Sequence, residues 1–213
     1  MSESFFSDPE DTREQILAAT YRALSIHGYA DLTISAIGEE FEKSPSLVYR
    51  HYDSKDDLVL ACLSYMLDQF ETQFTDEEIT DPRSRLESFL GWGLVEDLSE
   101  EEYEFIASLV ELRSQAVHDD DYGRHFARSD RVFERHLATI LRAGIDQGVF
   151  QDRDPDRVAA ILNTMVFGSL VRRATQQDGE RPWIDHVRAE LARFLETQVY
   201  ADDVAVRLFD EDC

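Results

Sequence analysis

Lysine is nearly absent from this chain. Only Lys43 and Lys55 are lysine among 213 residues, and aspartate and glutamate number 45 against 21 lysines and arginines, for a formal net charge of -24. A balance of that sign excludes a protein that holds polyanions by bulk electrostatic attraction. The acids are interspersed with regularly spaced apolar residues, which argues against a disordered acidic tail as their origin. They fit a cytoplasm of molar salt, where the Debye length falls to roughly 3 Å at 1 M and self-repulsion is screened. The chain is expected to be halophilic.

Cysteine is scarce too. Cys62 and Cys213 form neither a C-x-x-C pair nor a metal-ligand spacing, which excludes a disulfide framework and suits a reducing interior. Long hydrophobic runs are missing: AAILNTMVFGSLV is interrupted by polar residues, and the opening MSESFFSDPE has neither the basic nor the apolar region of a signal peptide. A soluble, cytoplasmic protein without membrane contact is expected. No stretch combines polar-apolar alternation with β-branched enrichment, so no sheet is expected and the fold class is all-α. With 43% hydrophobic residues, the chain can build real cores, as one good-sized domain or a small domain fused to a larger one.

What is present is helical periodicity almost throughout. A first helix is expected from Thr12, with Gln15 at the capping-box offset, burying Ile16, Leu17, Thr20, Leu24 and His27 before Gly28 ends it. A short helix follows Thr33, with Ile34, Ile37 and Phe41 on one face. It must stop near Glu42, because Ser44 and Pro45 supply an N-cap and a first-turn proline for a third helix. Ser54, with Asp57 three residues on, caps the next. From Lys55 a long helix carries apolar stripes on two sides, one through Leu58, Cys62 and Tyr65, the other through Val59, Leu63, Met66 and Phe70, as expected of a helix between two bodies. Further helices are expected over about 83–97, 101–117, 122–147, 155–176 and 182–199.

Residues 33–52 supply the support helix and short recognition helix of a helix-turn-helix. Val48 and Tyr52 would face the core with Ile37 and Phe41, leaving Ser46, Leu47, Tyr49, Arg50 and His51 for the other sides. Hydroxyls and a phenol suit phosphate oxygens, arginine suits guanine or phosphate, and leucine suits a thymine methyl. Lys55 at a helix N-terminus sets a cation beside free amide donors, a phosphate clamp.

The stretch TISAIGEEFEKSPSLVYRHYDSKDDL, preceded by a helix ending in Gly28, resembles the N-terminal DNA-binding domain of the TetR/AcrR family of transcriptional regulators over roughly residues 12–65. Thr33, Gly38, Tyr49, Tyr52 and the Ser54-Lys55 pair carry the likeness. The resemblance implies phosphate contacts at Thr33, Tyr49, His51 and Lys55, and base-reading positions at Pro45, Ser46, Leu47 and Arg50, with Ser44 beside them. Many members place Gly-Thr where Ser46-Leu47 stand here, so a hydroxyl contact is replaced by an apolar one. Residues 1–55 hold ten acids against five bases, so even the reading domain is net negative. Binding is expected to rest on hydrogen bonds, apolar base contacts and shape, with a shallow dependence on salt.

The organisation expected is a three-helix helix-turn-helix DNA-binding domain at 1–54, a helical effector-binding and dimerisation domain at 55–200 and an acidic tail at 201–213. The helix after Asp154-Pro155 is apolar nearly all round. One side would be its own core; the side with Val158, Ile161, Leu162, Met165 and Ser169 would meet a second copy, joined by Val187, Leu191 and Phe194 of the final helix. Aromatic and apolar residues at helical spacing are singly best read as core. Together Met66, Phe89, Trp92, Leu109, Phe126 and Phe167 are compatible with a cavity for a largely apolar effector, which the resemblance implies. Gly91 and Gly93, flanking Trp92, suggest a helix break or a close backbone approach.

HDDDYGRH places His118, Asp121 and His125 together and would allow a metal or, as an alternative function, an all-α metal-dependent enzyme. The spacing is not that of an organised ligand set, so neither metal, cofactor nor catalytic residue is expected. A second alternative is a ligand-sensing helical dimer that does not bind DNA, against which Tyr49, His51 and Lys55 argue, since folding does not require them. The reading is a homodimeric regulator, by family habit a repressor, on a pseudo-palindromic double-stranded operator, released when a small molecule shifts the helix after Ser54.

Overall fold

The computed structural model describes residues 6, 9, 11–41, 45–75, 78–94, 98–176 and 182–201, with side chains at all but 45, 74, 75, 92 and 101. Ser44 and nearly all of the 201–213 tail therefore lie outside the described residues, and Pro45 and Trp92 contribute backbone alone. Helices dominate: α1 Thr12–Asp31, α2 Ile34–Glu40, a 3-10 turn Pro45–Leu47 leading into α3 Val48–His51, α4 Lys55–Thr75, α5 Pro82–Leu94, α6 Glu100–Gln115, α7 Asp120–Asp146, α8 Pro155–Thr175 and α9 Pro182–Phe194. The element that departs from helix among the described residues is an isolated antiparallel bridge between Phe150 and Tyr200.

Side-chain caps set many of these boundaries. Asp11, not Thr12, caps α1: its carboxylate accepts from Glu14 N–H at 2.8 Å, so the Thr12/Gln15 capping box is replaced by an aspartate one residue earlier. Thr33 caps α2 through Ala36 N–H at 3.0 Å, and Ser54 caps α4 through Asp57 N–H at 3.0 Å. Ser99 and Glu102 form a reciprocal capping box at α6. Asp154 accepts from the amides of Asp156 and Arg157 ahead of Pro155 at α8. Gly28 interrupts α1 with φ +67°, in the left-handed region that costs a side chain strain. His27, expected inside, is exposed, because it lies at this interruption and not on the Leu24 face.

The chain forms two compact units, each discontinuous in sequence. The first takes residues 1–76 and 98–129, so it joins α1 to α4 with α6 and the start of α7. Its core holds Ile16, Leu17, Leu24, Ile37, Phe41, Val48, Leu58, Val59, Cys62, Leu112, Tyr122 and Phe126. The packing of α1 on α6 is fastened by Ser108, whose hydroxyl donates to Leu24 O at 3.3 Å, and by the Tyr21 and Phe105 rings at 4.8 Å. Burial pushes the Cys62 thiol up to about 12, so it stays protonated.

The second unit takes 77–97 and 130–213, joining α5 to the rest of α7, α8 and α9. Gly91 and Gly93 do not break α5. Gly93 permits a close approach to α8, for a Cβ there would lie 2.5 Å from Val166 Cγ1. Beyond α9 the backbone widens into a π turn over Leu195–Val199, closed by Tyr200 N–H donating to Leu195 O at 2.7 Å. That end is pinned by Gln151, whose N–H donates to Val199 O at 2.8 Å and whose side-chain amide donates to Tyr200 O at 2.7 Å. Tyr200 stacks on Phe150 at 5.5 Å and donates its hydroxyl to Glu87 of α5 at 2.9 Å.

Candidate DNA-reading surface

The recognition element is seven residues long, a 3-10 turn followed by a single α turn. Its inward side is apolar: Val48 is fully buried, and Leu47 and Tyr52 are half-buried against the same core as Ile37 and Phe41. Its outward side carries Ser46, Tyr49, Arg50 and His51, all exposed, with Tyr49 at 63%. An aromatic ring held that far out of a core is not there for packing. Leu47 departs from the expected placement, since its side chain is engaged by the domain's own core.

Thr33 stands at the start of α2, exposed; accepting from the Ala36 amide leaves its O–H to donate elsewhere. Lys55 is tethered as well as charged. Its ammonium donates to Tyr29 O at 3.0 Å and lies 4.2 Å from the centre of the Tyr29 ring, leaving two N–H groups uncommitted by that bond. The first turn of α4 also holds Asp56 and Asp57, and the Asp57 amide is taken by Ser54. The Ser54 cap thus commits one first-turn amide, and the Lys55 ammonium is the cation at that end. Asp53 is an exposed carboxylate within the same segment. Arg22, a cation beside α2, is occupied by Glu40, donating to its backbone O at 2.8 Å.

Residues 16–62 match bacterial regulatory proteins of the tetR family, and residues 82–205 match the C-terminal domain of BetI-type transcriptional repressors. The chain belongs to the TetR family of transcriptional regulators. A TetR transcription regulator from Haloarcula marismortui is 36% identical, with a TM-score of 0.73 over 88% of this chain and 97% of that one. The transcriptional repressor AcnR of Corynebacterium glutamicum is 24% identical over 176 residues, 82% of this chain and 88% of AcnR. A transcriptional regulator from Saccharomonospora viridis in complex with choline shares the fold, with a TM-score of 0.66 at 24% identity over 89% of this chain and 97% of that one. The helix-turn-helix of this TetR-family chain is thus a DNA-binding head on a BetI-type body. No helix among the described residues is long and apolar enough to cross a membrane.

The apolar set read as an effector cavity is divided in this TetR-family structure. Met66, Leu109 and Phe126 pack into or against the core of the first unit. Phe89 and Phe167 belong to the second, where the Phe89 ring meets Phe133 at 6.1 Å and His136 at 5.7 Å. An open cleft at the start of α5, lined by Glu78, Asp81, Ser84, Arg85 and Ser88 among others, is polar and shares no residue with that set.

The face of α8 expected to meet a second copy is rotated. Leu162 is fully buried and Ser169 nearly so, its hydroxyl donating to Met165 O at 2.8 Å, while Leu191 of α9 is fully buried. These three serve the chain's own core. Ile161 is 47% exposed, and Val158 and Met165 of α8 and Val187 and Phe194 of α9 are half-buried. The outward line of α8 runs through Arg157, Ile161, Thr164, Gly168 and Arg172, all exposed.

His118, Asp121 and His125 do not converge. Asp121 pairs with Arg124, His118 is exposed, and the His125 ring turns edge-on to Phe126 at 5.2 Å. Among the described residues no three His, Cys, Asp or Glu side chains come together as a metal site. Burial, aided by the Arg128 charge and opposed by Asp68, pushes the His125 imidazole down to about 4.

Proposed function

We propose that this chain binds a pseudo-palindromic operator as a homodimer and represses transcription until a small-molecule effector releases it. The observation that carries the reading is the two-sided recognition element, with Val48 fully buried and Ser46, Tyr49, Arg50 and His51 turned to solvent. Tyr49, His51, Thr33 and Lys55 take the phosphate contacts; Ser46 and Arg50, with Ser44 and Pro45, take the base edges. Leu47 supports the element from behind. Two such elements, about 34 Å apart in successive major grooves, read one operator.

The dimer surface is the outward line of α8 through Ile161, flanked by Val158 and Met165 and by Val187 and Phe194 of α9. A stripe that sets Ile161, Thr164 and Gly168 between Arg157 and Arg172, with Val158 and Met165 along its side, suits a self-complementary two-fold contact. The effector site belongs to the C-terminal body. The likeness to the BetI-type domain supports this, as does the shared fold with a regulator in complex with choline.

The working medium is molar salt. A net charge of -24 with two lysines suits a solvent in which the electrostatic attraction of phosphate has already collapsed. The decisive experiment compares wild type with the Tyr49→Ala, Lys55→Ala double variant, binding DNA from the chain's own upstream region at molar potassium chloride. Selective binding that is lost in the double variant supports the reading. A folded wild-type dimer without selective binding at any salt overturns it.

A further inference from the structure

A single carboxylate oxygen ties three elements of the first unit together. Asp56 Oδ1, in the first turn of α4, accepts from the Tyr29 hydroxyl at 2.6 Å and from the Tyr122 hydroxyl at 3.2 Å. Tyr29 comes from the last turn of α1, just past the left-handed Gly28, and Tyr122 from the first turn of α7. The two rings meet edge-on at 6.3 Å. Asp119 fixes the start of α7 by accepting from the amides of Asp121 and Tyr122 at 2.8 and 3.2 Å.

The same Tyr29 holds Lys55. Its backbone carbonyl accepts from the lysine ammonium, and its ring lies beneath that ammonium. The chain of contacts therefore runs Tyr122 to Asp56 to Tyr29 to Lys55, and ends at a group assigned to the DNA. Tyr122 itself is 1% exposed. It cannot touch an operator, and any effect it has on binding must pass through its neighbours.

Phenylalanine at 122 would bury the same ring without a polar atom. A buried hydroxyl costs free energy unless it is bonded, and a bonded one contributes only about 1 kcal/mol net. What the hydroxyl adds is direction: two donors on one acceptor oxygen leave the first turn of α4 few alternative positions. Burial beside a carboxylate pushes both phenols up, Tyr29 to about 12, so both remain donors in any working buffer.

We propose that Tyr122 and Asp56 are positioning residues for operator binding, which hold Tyr29 and through it Lys55 in the place where the ammonium meets a DNA phosphate. The inference rests on the DNA-reading assignment above. It makes α7 a part of the reading head's affinity, although no residue of α7 reaches DNA in this reading.

The test is a double-variant cycle on the full-length dimer at molar potassium chloride, with DNA that wild type binds selectively. Tyr122→Phe is expected to weaken binding about fivefold or more in the wild-type background and less than twofold in the Lys55→Ala background, since coupled neighbours fail to add. It should also reduce the salt slope toward that of Lys55→Ala, a change of about one unit at most. A residue that merely stabilised the fold would move neither reading. Asp56→Asn, which keeps shape and an acceptor oxygen while removing the charge, serves as the second variant and should show the same non-additivity. Equal losses in both backgrounds, or full affinity in Tyr122→Phe and Asp56→Asn, overturn the positioning role while leaving DNA reading intact. Wild type without selective binding overturns the DNA reading, and this inference with it.

Discussion

Arg188 of α9 donates through Nε to the carbonyl of Leu94, the last residue of α5, at 3.0 Å. The final carbonyls of a helix lack partners within it, and a cation there also meets the negative end of the helix dipole. Arg188→Met keeps much of the stem's packing and removes both contributions. It is expected to destabilise the second unit by about 1–2 kcal/mol, read from denaturant unfolding in molar salt.

Gly28 is expected to resist substitution for a reason of backbone, not of space. A Cβ there would come no closer than 3.9 Å to Ser108 Oγ, yet φ is +67°. Gly28→Ala should cost about 1–2 kcal/mol, and Gly28→Asn less, because asparagine tolerates the left-handed region better. Thermal unfolding of the two variants side by side gives the order, and the reverse order would refute it.

Acid should weaken the fold through two histidines. Burial, assisted by the Arg85 charge, pushes His136 down to about 4, as burial does for His125. An unfolded histidine titrates near 6.5, so between roughly 6.5 and 4 the unfolded chain binds more protons than the folded one. The stability these neutral rings contribute is complete above about 6.5 and is lost as pH falls toward 4. His136→Phe is expected to flatten that part of the stability-pH curve, checked by melting temperature at fixed salt.

Specificity should reside at positions 46 and 50 more than at 47. Arg50→Ala is expected to cost about 1–3 kcal/mol on the preferred operator and to relax discrimination at one base pair, if it reads guanine. Leu47→Ser should instead reduce stability with little change in the preferred sequence, because Leu47 packs against the core. Binding to operators substituted one base pair at a time separates the two outcomes.

Neighbours on α8 should behave oppositely. Ile161→Glu, at a position 47% exposed, is expected to leave a folded chain and shift it from dimer to monomer. Leu162→Glu, at a fully buried position, should prevent folding. Sedimentation at molar potassium chloride distinguishes them, and a persistent dimer in Ile161→Glu would move the interface off this line.

Much of this fold is legible in the sequence because punctuation residues act locally. Thr33, Ser54 and Asp154-Pro155 mark helix starts by chemistry that needs only three neighbouring residues, and α8, expected over about 155–176, spans Pro155–Thr175. Faces are less legible. Apolar periodicity says that Leu162, Ser169 and Leu191 are covered but not by what, and the chain's own core covers them. The same ambiguity scattered Met66, Leu109 and Phe126 into one core and Phe89 into another unit. Least legible is the Tyr29, Asp56 and Tyr122 node. Tyr29 and Tyr122 lie 27 and 66 positions from Asp56 along the chain, and no short-range pattern distinguishes the three from surface polar residues. The one available signal is a tyrosine directly after the helix-ending Gly28.

The discontinuity of the second unit sets a timetable for synthesis. The first unit has all its helices once residue 129 is made, whereas α5 must wait for Tyr200, 113 positions beyond its partner Glu87, to close its unit. At about 5–20 residues per second, that wait is roughly 6–20 seconds. Leu86, Leu90 and Leu94 of α5, fully buried in the finished chain, are made at the start of that interval. The unit that carries the DNA-reading element thus has its whole sequence before the other does, and the interval between them is a period in which the nascent chain exposes unfinished surface to aggregation.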